Sequence, residues 1–133
     1  MSRLRYAARS ALTLASIVIL CVCTAQPGGF ADLGGERDAR DELPQLADYA
    51  YDSVDRSTSR YVGEHDGASL WLANGRERSA VCLVADAGER GWIVGCGGGG
   101  TRIGGTTGSY EVVEDAAAAP KGAVKISQNV YAW

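Results

Sequence analysis

The stretch SAVCLVADAGERGWIVGCGGGG, Ser79 to Gly100, decides the fold of this chain. Two apolar runs, Ala80 to Ala85 and Trp92 to Val94, flank Ala87-Gly88-Glu89-Arg90-Gly91, whose glycines supply the positive φ angles of a tight loop. The pattern predicts a β-hairpin. With the loop centred on Glu89, Cys82 falls opposite Cys96, Val84 opposite Val94 and Asp86 opposite Trp92, because each step away from the centre pairs one residue per strand. Facing positions on antiparallel strands lie about 4.5–5.5 Å apart at Cα, close to the span a disulfide bridges. A Cys82–Cys96 disulfide is therefore expected.

The rival reading of these cysteines, a zinc site, lacks ligands. No CxxC pair occurs in the chain, and the one histidine, His65, does not complete a four-ligand set. Cys21 and Cys23 sit in a different setting, an uncharged apolar run, and do not belong to the same framework. Neither a metal nor a cofactor is called for by any spacing in the sequence.

With 133 residues, 46% of them apolar and 22% charged, the chain has room for one small core. Its net charge of −3 conceals an asymmetry. Arg3, Arg5 and Arg9 carry all the charge of the first 25 residues, leaving 10 basic against 16 acidic groups beyond, a balance of −6. That argues against a nucleic-acid partner, because phosphate backbones are held by clustered cations and here Arg76, Arg78, Arg90 and Arg102 are dispersed among acids.

The basic segment 1–9 precedes SALTLASIVILCVCTA, Ser10 to Ala25, which holds no charged residue before Gln26-Pro27-Gly28-Gly29 breaks the pattern. Such a run is expected to engage a membrane. A retained anchor is the leading reading; a cleaved signal ending at Cys23-Thr24-Ala25 and a lipidated cysteine compete with it. All three leave the basic segment on the cytoplasmic side and everything after Gln26 outside. A core helix of a cytosolic protein is disfavoured, since this run has no polar face to show to water.

Residues 26–57 shift to Gly, Asp, Glu and Arg with little apolar periodicity and are expected to form a flexible, solvated linker. One weak apolar stripe, Leu43, Leu46 and Tyr49, leaves a docked helical turn as the alternative. Ser57-Thr58-Ser59 reads as a hydroxyl-rich joint, open to capping or glycosylation.

Residues 58–133 are expected to form an extracytoplasmic β domain. Ser59 to His65 and Ala68 to Ala73 read as strands about Asp66-Gly67, the strongest hairpin signal in the chain. That loop sets His65 against Ala68, Val62 against Trp71 and Tyr61 against Leu72. The glycine-rich run Gly97 to Gly108 is expected to be a flexible surface loop. It does not read as a phosphate cradle, because a strand, Ser109 to Val113, follows it in place of a helix N-terminus. Val124 to Ser127 and Asn129 to Trp133 supply one bent strand or a last short hairpin. The expected fold is mainly β: an antiparallel sandwich or open barrel of about six to seven short strands, preceded by a membrane segment and a linker.

Asp41-Glu42-Leu43-Pro44 after the apolar run, Ser59-Arg60-Tyr61-Val62-Gly63 with Asp66-Gly67, Val81-Cys82-Leu83-Val84 with Gly95-Cys96-Gly97, and the closing Asn129-Val130-Tyr131 together carry a likeness. The chain resembles a group of uncharacterised actinobacterial proteins, short, single-pass or secreted, with a small glycine-rich β domain. The resemblance implies membrane association, an extracytoplasmic domain and the Cys82–Cys96 bridge, and carries nothing about catalysis.

Three classes of function follow from the residues. The first is a tethered, non-enzymatic domain that binds or regulates a protein or glycan partner, not identified by any residue, at the outer membrane face. The second is a secreted module for a ligand such as a glycan, drawing on Trp71, Trp92, Trp133 and the six tyrosines as stacking surfaces. The third, an enzyme, is disfavoured. His65 and Asp66 are expected at a solvated turn, the carboxylate pairs Glu64/Asp66 and Glu111/Asp115 read as surface charges, and Cys82 and Cys96 are spent in a disulfide.

Overall fold

Cys82 does stand opposite Cys96, with Val84 opposite Val94 and Asp86 opposite Trp92. A computed structural model describes residues 28–133. The basic segment 1–9, the apolar run 10–25 and its Cys21 and Cys23 lie outside the described residues, among which no helix is long and apolar enough to cross a membrane.

Eight strands form: β1 (Arg60–His65), β2 (Ala68–Asn74), β3 (Val81–Asp86), β4 (Trp92–Gly97), β5 (Thr101–Gly105), β6 (Gly108–Val112), β7 (Val124–Lys125) and β8 (Val130–Ala132). They pair into two antiparallel sheets, β1-β2-β3-β4 and β5-β6-β8-β7. The sheets remain separate and close no barrel. Leu70, Leu72, Val81, Leu83 and Ala85 of the first sheet meet Ile103, Tyr110, Val112, Val130 and Ala132 of the second in one core.

The opposite face of the first sheet is also covered. Trp71, Ala73, Cys82 and Val84 pack against Ala50, Tyr51 and Val54, with Leu43 and Leu46 partly buried beside them. This corrects the expectation of a flexible, solvated linker over 26–57. Its described part is a third layer of short 3-10 turns, Ala31–Leu33, Ala39–Asp41, Asp48–Tyr51 and Arg56–Thr58, laid over the sheet. The physical reason is the sheet itself: both faces of β2 and β3 are apolar, so each needs a cover.

Two further expectations are corrected. Asp66 and Gly67 both take positive φ, 47° and 76°, as a two-residue hairpin turn requires, and hold His65 against Ala68. Beyond Gly63↔Leu70, however, a β-bulge at Val62 shifts the register, so that Tyr61 meets Trp71 and Arg60 meets Leu72. The extra residue turns Val62 towards the inter-sheet core while Tyr61 stays on the outer face, its ring edge-on to Trp71 at 5.6 Å.

The run Gly97 to Gly108, expected as a flexible loop, contains β5, which pairs with β6 around Thr106-Thr107. Ile103 anchors it. On β4, Gly95 faces inward, and a Cβ built there would lie 2.8–3.0 Å from three side-chain atoms of Ile103. The missing side chain is what lets β5 lie so close to β4.

Gly95→Ala is therefore expected to overpack this contact and destabilise the fold by about 1–3 kcal/mol, less the few tenths that Gly→Ala gains through the unfolded chain. Combining it with Ile103→Val recovers part of that loss, so the two changes are sub-additive in urea unfolding.

Candidate functional site

The disulfide lies on the outer face of the first sheet, away from the inter-sheet core. Cys82 and Cys96 are bonded at 2.07 Å with their Cα atoms 4.0 Å apart. The two sulfurs are not equally placed: Cys82 is fully buried under the N-terminal layer, 3.6 Å from the Ser53 carbonyl oxygen, whereas Cys96 on edge strand β4 is exposed.

The N-terminal layer has little backbone ladder of its own, so side chains satisfy its polar groups. Asp41, 7% exposed, is central. Its carboxylate accepts the backbone N–H groups of Asp38 and Tyr61, each at 2.8 Å. Burial alone would raise its pKa, but those two donors and the Arg60 and Arg37 guanidiniums outweigh it and hold the carboxyl below its ordinary 3.8. Arg37 donates to the Ser59 hydroxyl (2.9 Å) and carbonyl (3.1 Å), and the buried Ser59 hydroxyl donates to the Asp41 carbonyl at 2.5 Å. Thr58 Oγ1 accepts the Asn74 N–H at 2.8 Å, and Asp55 caps the turn at Arg56–Thr58. The Ser57-Thr58-Ser59 joint is thus a set of caps.

Tyr51 ties the same layer down. Its hydroxyl donates to the Pro44 carbonyl at 2.6 Å, the Arg56 guanidinium lies 4.8 Å from its ring centre, and burial pushes its pKa up to about 12.

The three tryptophans do not share an open face. Trp71 is buried, its indole N–H donating to the Arg40 carbonyl at 2.9 Å. Trp92 is partly buried on the same side of the sheet, against Tyr49 at 5.9 Å. Trp133 is 38% exposed beside the second sheet, with the Arg102 guanidinium 4.2 Å from its ring centre.

His65 differs from the solvated turn residue expected of it. Its side chain is 15% exposed, set edge-on to Tyr110 at 6.5 Å, and its Nε2 lies 3.4 Å from the Asp66 carboxylate without a hydrogen-bond partner among the described residues. Three of the four carboxylates named in the sequence have separate partners. Glu64 accepts from Ser69, Glu111 faces Arg102 across β5 and β6 at 3.2 Å, and Asp115 accepts from the Ala31 N–H and the Asn129 amide. No cluster of three metal-ligating side chains occurs among the described residues.

The sandwich has two unlike ends. The turn end gathers Asp66-Gly67, Gly88–Arg90 and Thr106-Thr107, where Arg90 donates to the Asp66 carbonyl and the Tyr110 hydroxyl donates to the Thr107 carbonyl at 2.5 Å. The entry end holds the β2–β3 and β4–β5 connections beside the start of the described chain. There an open groove of about 760 Å³ is lined by Gly28, Arg76, Arg78, Gly98, Gly99 and Glu114, among others. Asp41 and Asn129, which hold the N-terminal layer and the chain entry, enter the sequence reading only as parts of the motifs that carry the resemblance, with no structural role attached. Asp38 three residues before Asp41 is the one local signal available, and it marks the reciprocal cap that this pair forms.

Asp41→Ala is expected to leave two backbone N–H groups unpaired and cost about 1–3 kcal/mol. Since the folded pKa lies below 3.8, the ionised carboxylate stabilises the fold above that value, and the contribution disappears as pH falls through the folded pKa. The variant should therefore lose less stability than the parent on acidification below about pH 4 in chemical denaturation. Cys96→Ser opens a loop of about 15 residues and is expected to cost about 2–4 kcal/mol in the same assay.

No protein-family model, curated protein or solved structure matches the chain. The functional reading therefore rests on the residues and geometry above.

Proposed function

We propose that this chain is a membrane-tethered extracytoplasmic β domain with a non-enzymatic binding or regulatory role at the outer membrane face. One observation carries the reading: a strand-to-strand disulfide in a folded body that follows a basic segment and a 16-residue uncharged run, Ser10 to Ala25. Disulfides persist in oxidising compartments, and the charge order of the N-terminal segment directs the body outward. Glu111 pairs with Arg102 and Asp115 accepts from the Asn129 amide, partners of the kind structural carboxylates hold, which supports a non-enzymatic role. A secreted glycan-binding module draws less support, because Trp71, Trp92 and Trp133 form no common platform.

Intact mass of the chain recovered from its native membrane fraction tests this reading. The expected result is a chain that retains residues 1–25 and is two protons lighter than its reduced form, with Cys96 resistant to alkylation until a reductant is added. A mature chain beginning after Ala25 in the medium favours the secreted alternative. Free thiols at Cys82 and Cys96 remove the extracytoplasmic placement.

A further inference from the structure

We propose that the entry end of the sandwich rests on the outer headgroup layer of the bilayer, with Arg76 and Arg78 at lipid phosphates; this deepens, and rests on, the tethered reading. The chain enters the body at that end and is pinned there. The Asp115 N–H donates to the Gly29 carbonyl at 3.0 Å, the Ala31 N–H to the Asp115 carboxylate at 2.8 Å, and the Asp32 N–H to the side chain of fully buried Asn129 at 2.9 Å. Asp32 in return accepts the Asn129 N–H at 2.8 Å and the Ser127 hydroxyl at 2.6 Å. These bonds join the first described residues to Asp115, Ser127 and Asn129, so residues 29–32 are fixed to the body.

The distance from the membrane follows from chain length. Gly28 is three residues past Ala25, the last residue of the uncharged run. An extended chain covers at most about 3.3–3.6 Å per residue, which puts Gly28 within about 11 Å of the end of that run. Headgroups occupy about 5–7 Å beyond the hydrocarbon on each side, so the groove beside Gly28 is held at, or within a few ångströms of, the lipid surface. Strands of six residues are about 20 Å long, which sets the turn end that much farther out.

The groove offers suitable chemistry. Arg76 and Arg78 are exposed, and neither forms an ion pair among the described residues. Guanidinium forks match the oxygens of a phosphate. Asp55, Glu77 and Glu114 line the same groove, so its acids outnumber its arginines and the long-range field opposes approach to an anionic surface. The tether length, and not the field, fixes the contact.

The experiment uses the full chain, purified in detergent and reconstituted into vesicles of phosphatidylcholine and phosphatidylglycerol. A benzophenone photo-crosslinker replaces Arg78 at the entry end or Glu89 at the turn end. Lipid adducts are expected from position 78 and not from position 89, and raising the salt does not reduce them. Amide exchange on the unsubstituted chain gives a second measure: residues 76–79 and 97–100 exchange more slowly in vesicles than in detergent, and residues 87–91 do not change. Adducts from position 89 alone, or equally from both, overturn the proposal while leaving the tether intact, as does unchanged exchange at the entry end. Intact mass of the native membrane-derived chain separates the other failure, since loss of residues 1–25 removes the tethered reading and the proposal with it.

Discussion

Burial of β3 on both of its faces is the constraint on which the rest of this structure depends. From Val81 to Ala85 every residue is buried, with Leu83 and Ala85 directed at the second sheet and Cys82 and Val84 at the N-terminal layer. A strand of this kind has no side to give to water. At about 25 cal/mol per Å² of apolar surface, leaving either face bare would cost a large part of the net stability that a body of this size retains. The two covers are supplied from opposite ends of the chain, and the first sheet is held between them.

The covers are of different kinds. The second sheet pairs its own backbone groups, and only its side chains need to fit. The N-terminal layer, made of isolated 3-10 turns, must find partners for its N–H and carbonyl groups elsewhere. Asp41, Asp55 and Asn129 accept its N–H groups, Thr58 accepts the Asn74 N–H of β2 in return, and Tyr51 and Trp71 use their polar atoms on carbonyls of the same layer. The disulfide lies beneath this layer, with the Ser53 carbonyl over the buried sulfur of Cys82. Bridge and cover thus protect the same face, one by closing a loop and the other by excluding water.

Legibility in the sequence followed the range of the interaction. The pairing of Cys82 with Cys96 and of His65 with Ala68 needed only a turn centre and a count of residues, and both are as the sequence implied. The bulge at Val62 was not legible, because it is set by what Tyr61 and Val62 must meet on opposite faces of the sheet. β5 was hidden for a related reason. Its glycines look like a loop when read alone, and only the close fit of Ile103 against Gly95 gives that run a partner. The entry groove had no sequence signal beyond two arginines among acids, since it is formed by loops that the fold brings beside Gly28.

By itself, the sequence determined the antiparallel β class, the hairpin that carries the disulfide, and the tight Asp66-Gly67 turn, since each is encoded within a short span by alternation and by glycine's tolerance of positive φ. Tertiary structure alone decided that residues 28–58 belong to the body. The stripe of Leu43, Leu46 and Tyr49 raised a docked turn only as an alternative, and Ala50, Tyr51 and Val54 are too few and too irregularly spaced to announce a buried element. They become one when the outer face of β2 and β3 presents an apolar surface, and when distant polar side chains such as Asp41 satisfy the backbone that covers it.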